Sequence, residues 1–167
     1  MKTTLHVLCL GLYLLTVPLT VRALDADGTR ATLKGVTTVM VAIENLAKEY
    51  PPGLTQDQLR TDVELKLRQS GITVAAESSE ALYVQVSSFK VTNTSGTYVY
   101  YIAVEFQQLV TLKRRPAVFA FVSTWDTHYF GIDDSAAGIR NMVADLINRF
   151  LNAYLSVNPR ESFKATH

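Results

Sequence analysis

The chain has 167 residues, of which 48% are hydrophobic and 19% are charged, a composition typical of one globular domain that excludes a disordered protein. The 16 Lys and Arg residues oppose 15 Asp and Glu residues, and the net charge of +1 provides no broad basic surface for nucleic acid. The single cysteine excludes a disulfide framework and a cysteine-based zinc site.

The N-terminal segment has the pattern of a secretory signal peptide. Lys2 precedes an apolar run at residues 5–17, and Val21 and Ala23 suit the positions before a cleavage site. The run is shorter than the ~20 residues of a membrane-spanning helix. We therefore predict cleavage after Ala23 and an exported protein, periplasmic or secreted, with no transmembrane helix after cleavage. The alternative is an uncleaved signal that stays as a membrane anchor.

The rest of the chain is predicted to form one folded domain. After the signal peptide at residues 1–23 comes a polar, flexible lead-in at residues 24–34. Residues 35–158 form a single α+β domain, and residues 159–167 form a C-terminal tail.

The domain begins with the pattern strand, helix, short strand. Residues 36–43 are rich in β-branched side chains, which favours a buried strand. Thr55 and Gln58 form a capping box before a helix with apolar residues every four positions, and Gly71 is placed to end it. Residues 72–74 then form a short strand or an extended lead-out.

From residue 81 to residue 129 the apolar pattern has a period of two, which predicts a three-stranded antiparallel meander. The first turn lies at residues 93–96. Pairing Val86 with Ile102 there keeps the apolar residues on one face, and it requires an odd-length loop or a β-bulge near Gly96.

The second turn of the meander is predicted at residues 113–116. A four-residue loop there pairs Leu112 with Ala117 and Val104 with Trp125. Phe119 and Phe121 share the parity of Trp125, so this register places all three on the core face.

A long helix is predicted to close the domain. Asp133, Asp134 or Ser135 caps its start, and Asn158-Pro159 ends it. Its apolar residues are spaced alternately by three and one, and they form one continuous stripe: Ile139, Met142, Val143, Leu146, Ile147, Phe150, Leu151, Tyr154 and Leu155.

The element order β-α-β-β-β-β-α predicts an α+β fold, an antiparallel or mixed sheet of four to five strands with two helices packed on one face. This order resembles the small exported α+β proteins of the bacterial cell envelope, such as the lipopolysaccharide-assembly lipoprotein. The matching segments are the strand at residues 36–43, the helix ending at Gly71, the strand at residues 82–86 and the closing helix. The chain departs from that lipoprotein at its lipidated cysteine, because cleavage of the signal removes Cys9 and no lipid anchor is evident.

Residues with catalytic potential are few in this sequence. His128 is the one histidine inside the domain, and Asp126, Asp133 and Asp134 lie near it in sequence. They would suit a metal-assisted hydrolase, although an exposed strand end followed by an acidic helix cap explains them more simply. No nucleophile motif or glycine-rich phosphate loop occurs, so we predict no catalytic residue, no metal and no cofactor.

The Lys113-Arg114-Arg115 cluster lies at the second predicted turn. We interpret this cluster as a solvated turn. The alternative is contact with an anionic headgroup or a nucleic-acid phosphate.

The sheet face away from the helices is the predicted site of interaction. Its mixture of polar, tyrosine and aliphatic residues fits a partner surface or an ordinary half-exposed sheet face. The candidate residues are Tyr83, Val99, Tyr101, Glu105, Leu109, Val122 and His128.

These features favour an exported, non-enzymatic binding or accessory protein of the cell envelope. Its partner would be an envelope protein or a second copy of the chain. The alternatives are a periplasmic carrier of a small apolar ligand and the hydrolase using Asp126 and His128.

Overall fold

A computed structural model of the protein describes residues 27–46, 49–92 and 96–159. The predicted signal peptide, residues 93–95 of the first predicted turn and the tail from residue 160 lie outside these ranges. The elements in chain order are α1 (Asp27–Ala31), β1 (Thr38–Ile43), α2 (Gln56–Gln69), β2 (Thr73–Val74), β3 (Glu80–Lys90), β4 (Tyr98–Leu112), β5 (Val118–Asp133) and α3 (Ala136–Val157).

The predicted α+β fold is confirmed. The strands form one mixed five-stranded sheet in the order β2-β1-β3-β4-β5, with β1 parallel to β2 and β3 and with β3, β4 and β5 antiparallel. The helices α2 and α3 contact each other and cover one sheet face. Because α2 carries the chain from β1 to β2, these two strands are parallel.

The ends of α2 follow the predicted capping. The Thr55 hydroxyl accepts a hydrogen bond from the Gln58 amide at 3.2 Å. At the other end, Gly71 has a φ of 87°, and the Ile72 amide donates to the Leu67 carbonyl at 3.0 Å. That bond and the burial of Leu67 and Ile72 make a Schellman ending, which turns the chain directly into β2.

The lead-in is more ordered than its composition predicts. Residues 27–31 of this predicted flexible segment form α1, and Leu33 is fully buried in the core. Asn158, at the end of α3, fixes it: its amide nitrogen donates to the Leu33 carbonyl at 2.8 Å, and its oxygen accepts from the Gly35 amide at 2.8 Å. Hydrogen bonds between residues so distant in the sequence leave no signal in a local sequence pattern.

The first hairpin has the predicted register. Val86 pairs with Ile102, Val84 with Val104, and Lys90 with Tyr98. The last pair leaves residues 91–97 as the connection, which is an odd number of residues as the apolar pattern requires.

The predicted register of the second hairpin is wrong. Leu112 pairs with Val118 instead of Ala117, and Trp125 pairs with Phe106 instead of Val104. A register shift falls between Phe106 and Gln107, whose partners are Trp125 and Ser123. Thr124 is therefore the extra residue of a β-bulge, which exchanges the two faces of β5 at that point.

The bulge places Trp125 against the helices. Its ring lies 5.4 Å from that of Phe150 in α3, and the Phe106 ring lies 5.8 Å from Phe150. Phe119 and Phe121, on the other side of the bulge, are exposed instead of in the predicted core. Burying the larger indole against the Phe150 ring explains why Trp125 takes the core position.

Candidate functional site: the open sheet face

The open face is the sheet surface opposite the helices. Strand alternation and the observed pairs place six of the seven predicted interaction residues on it. They are Tyr83, Val99, Tyr101, Glu105, Leu109 and His128.

Val122 does not lie on the open face, and this prediction is wrong. It pairs with Gln108, whose side chain donates to the Glu80 carboxylate at 2.9 Å. Glu80 and Gln108 have the strand parity of the core residues Leu82 and Phe106. The β-bulge at Thr124, which has no signal in the alternation of β5, moves Val122 to this side.

One end of the open face carries an apolar patch, consisting of Phe89, Val99, Tyr101, Phe130 and Ile132. Val99 lies between Phe89 and Ile132 on neighbouring strands, and Tyr101 is paired with Phe130. Phe89, Phe130 and Ile132 expose 69%, 67% and 66% of their surface. Side chains of this size are normally scattered over a monomer surface, so a contiguous group indicates a site of interaction.

Sequence reasoning missed three members of this patch: Phe89, Phe130 and Ile132. The alternation Asp126, His128, Phe130, Ile132 continues beyond the residue where the sequence pattern was taken to end. Extending β5 to Asp133 would have found two of them.

The middle of the open face is acidic. Glu105 lies directly opposite Asp126 on the neighbouring strand, and Gln107 donates to the Glu105 carboxylate at 3.0 Å. Like charges opposite each other destabilise a sheet, so this pair carries an energetic cost within the isolated fold. Burial, followed by the Glu44 carboxylate and then Glu105, raises the pKa of Tyr83 on the same face.

His128, a residue of the alternative hydrolase hypothesis, lies beside the acidic pair. Its Nδ1 is 4.0 Å from Asp126 Oδ2, and its ring lies 6.0 Å from that of Tyr101. Asp133 pairs with Tyr98 and has the core-side parity of β5, so it lies on the other sheet face. Within residues 27–46, 49–92 and 96–159, no three His, Cys, Asp or Glu residues cluster to hold a metal.

Asp133 has a structural role at the start of α3. Its Oδ1 accepts hydrogen bonds from the Ser135 hydroxyl and the Ser135 amide, both at 2.8 Å. The Ser135 hydroxyl oxygen accepts in turn from the Gly138 amide at 3.0 Å, which makes Ser135 the N-cap. The Ser135 hydroxyl and then its amide lower the pKa of Asp133 below its ordinary value.

This depressed pKa predicts an acid-dependent loss of stability. A carboxyl with a folded pKa below its unfolded pKa stabilises the protein above the unfolded value, and the contribution disappears as pH falls through the folded value. Asp133→Asn should therefore lower the free energy of unfolding by about 1 kcal/mol at neutral pH, after allowance for solvent screening. The difference from the wild type should shrink as the pH falls.

Urea unfolding at a series of pH values measures this difference. Asp145→Asn, on the exposed side of α3, is the matched control for removal of a carboxylate from the same part of the chain. A deficit of Asp133→Asn that stays constant into acid would contradict the role of the carboxylate.

The described part of the surface beside the helices includes two open grooves. One, of about 580 Å³ along β1 and α2, is lined by Arg60, Glu64 and Arg68 among others. The other, of about 410 Å³ between α2 and α3, contains Asp62 and Arg140.

The charged groups that line both grooves are bonded within the protein. Arg60 donates to the Val41 carbonyl at 2.7 Å, and Arg68 to Glu64 at 2.7 Å. Arg140 donates to both oxygens of Asp62, at 2.9 and 3.1 Å.

Over the described part of the chain, each helix is too short or too polar to cross a membrane.

Comparison with known proteins finds solved structures with a partial likeness to this chain. A PelC dodecamer from Paraburkholderia phytofirmans has 16% sequence identity and a TM-score of 0.42, over 72% of this chain and 86% of that chain. The hypothetical protein CT253 from Chlamydia trachomatis has 7% identity and a TM-score of 0.42, over 74% and 99%. Rare lipoprotein B from Shewanella oneidensis has 15% identity and a TM-score of 0.32, over 73% and 96%.

No protein-family model matches the sequence, and no curated protein sequence matches it.

Proposed function

We propose that this protein is an exported, non-enzymatic accessory protein of the cell envelope that binds a protein partner on its open sheet face. The observation that carries this proposal is the apolar patch. Phe89, Phe130 and Ile132 are each about two-thirds exposed and lie together with Tyr101 on one face. Aromatic residues of this kind are enriched in protein interfaces.

The charge of the same face defines the chemistry of the partner. Glu105 and Asp126 lie next to the apolar patch, and the strand residues of the open face include no Lys or Arg. A partner with a basic side chain beside apolar ones would remove the repulsion between the two carboxylates while covering the patch. The matching surface is therefore apolar and basic.

Site-specific photo-crosslinking in intact source cells tests this proposal. A photoreactive residue at position 101, within the apolar patch, should give a specific protein adduct. The same residue at Asn152, on the exposed side of α3, is the control and should give none. Asp126→Lys and Phe130→Thr should each reduce the adduct from position 101, because one reverses the charge and the other removes apolar contact.

The identity of the adduct decides the outcome. An adduct with another protein that disappears in both variants supports the proposal. An adduct with the mass of two copies of this chain assigns the face to self-association. If neither position is crosslinked although the protein is present, the open face is not a docking surface.

A further inference from the structure

The second hairpin extends beyond the rest of the sheet. The last residue of β4 that pairs with β3 is Gln108, opposite Glu80. β4 continues to Leu112 (112 − 108 = 4 residues), so a two-stranded ribbon projects by roughly 13 Å at ~3.3 Å per residue. We call residues 109–122 the hairpin tip.

The hairpin tip combines a basic loop with exposed apolar side chains. Lys113, Arg114 and Arg115 are all exposed at the turn. On the ribbon behind them, Phe119 and Phe121 expose 69% and 47% of their surface.

Leu109 extends this apolar surface. It is exposed and pairs with Phe121 on the same side of the ribbon, whereas Leu112 pairs with Val118 on the other side. The β-bulge at Thr124 gives the two phenylalanines this orientation.

The charge at the tip has one sign. Between Glu105 and Asp126 the sequence contains three basic residues and no Asp or Glu. The basic groups are therefore not neutralised by acidic residues of the same hairpin. Phe121 and Leu109 continue the open-face side of the sheet, but the basic loop beyond them has the opposite charge to the acidic centre of that face. The hairpin tip and the centre of the open face therefore suit different partners.

We propose that the hairpin tip binds the surface of an anionic lipid bilayer. Lys and Arg side chains near such a surface are attracted by its negative potential, and each basic residue strengthens binding by roughly fivefold. Large apolar side chains on the same element bury themselves at the boundary between headgroups and acyl chains. The tip presents both, and it projects far enough to reach the bilayer ahead of the sheet.

The basic and the apolar side chains of the hairpin tip have different contacts with the bilayer. The Arg and Lys heads at the turn contact lipid phosphates, while Phe119 and Phe121 enter the boundary region from one side of the ribbon. Binding is expected to weaken at high salt, because the electrostatic part is screened.

Cosedimentation with vesicles tests this proposal on protein purified in its processed form from the cells that export it. The wild type should bind vesicles of phosphatidylglycerol and phosphatidylethanolamine much more strongly than pure phosphatidylcholine. The triple variant Lys113→Gln, Arg114→Gln, Arg115→Gln should lower the partition coefficient about 100-fold. The double variant Phe119→Thr, Phe121→Thr should lower it by about tenfold or more.

Matched controls distinguish binding by the hairpin tip from effects of total charge and total hydrophobicity. Lys34→Gln, Lys90→Gln, Arg149→Gln removes the same charge at exposed positions elsewhere. Phe130→Thr, Ile132→Thr removes apolar residues from the apolar patch. Neither control should change the partition coefficient by more than about twofold. All variants share one N-terminus, so any contribution of that segment cancels in the comparison.

A second measurement reports which residue enters the lipid. Tryptophan fluorescence of Phe119→Trp should be quenched by brominated acyl chains, and that of Phe130→Trp should not be. Trp125 is 1% exposed and contributes the same background to both.

Several results would overturn the proposal. One is equal loss of vesicle binding in the tip variants and their controls, and another is equal quenching at positions 119 and 130. A dimer that forms without vesicles and disappears in the tip variants would assign the tip to self-association. Vesicle binding is measured without any protein partner, so the failure of this proposal and of the proposed function are distinguishable.

Discussion

Replacing Trp125 with alanine is expected to lower the free energy of unfolding by about 3–5 kcal/mol. Trp125 is 1% exposed, and its ring packs against Phe150 at 5.4 Å between centroids. Phe106, its partner on β4, also contacts Phe150, so the truncation leaves a cavity at the junction of sheet and helix. Chemical denaturation followed by far-UV circular dichroism measures the loss.

Phe121→Ala is the matched control for this truncation. Phe121 is an aromatic residue of the same strand with the same sequence parity as Trp125, and the sequence pattern alone predicts equal burial for both. Because the β-bulge at Thr124 separates them, we expect Phe121→Ala to change stability by no more than about 0.5 kcal/mol. Equal losses in both variants would contradict the bulge and restore the uniform register.

Placing a charge at Val84 should destabilise the fold by about 4 kcal/mol or more, a large part of the ~5–15 kcal/mol that holds a domain of this size. Val84 is fully buried and lies between Ile43 of β1 and Val104 of β4. The ammonium group of Val84→Lys has no acidic partner among these neighbours, and burial of an unpaired charge is strongly unfavourable.

Gln85→Lys, one residue further along β3, controls for the intrinsic strand preference of lysine. Gln85 pairs with Ala103 on the open face, where the added ammonium stays in solvent near the Glu105 carboxylate. We expect its stability to stay within about 0.5 kcal/mol of the wild type. Thermal unfolding of the two variants distinguishes the faces, and comparable losses would mean that both faces of β3 are buried.

Local sequence patterns determined most of the element order. The Thr55 cap and the Gly71 ending of α2 depend on residues within a few positions of each other, so they were visible in the sequence. The apolar stripe of α3 and the odd-length connection of the first hairpin were visible in the same way. The spacing of apolar residues indicates which face of an element is buried.

The tertiary structure decided what local patterns do not contain. A β-bulge depends on which aromatic residue packs best against the helices, and the contact of Trp125 with Phe150 selected one of two equally plausible faces for Phe119 and Phe121. Order in the predicted lead-in depends on Asn158, which is bonded to Leu33 across the fold.

The same division applies to the candidate site. Alternation alone predicted an open face with Tyr101 and Glu105, because period-two patterns assign residues to faces. The apolar patch required three strands to be set side by side, and the hairpin tip required the bulge that exposes its phenylalanines. The sequence by itself therefore determined the elements and most of their faces, and long-range packing decided which exposed side chains lie together.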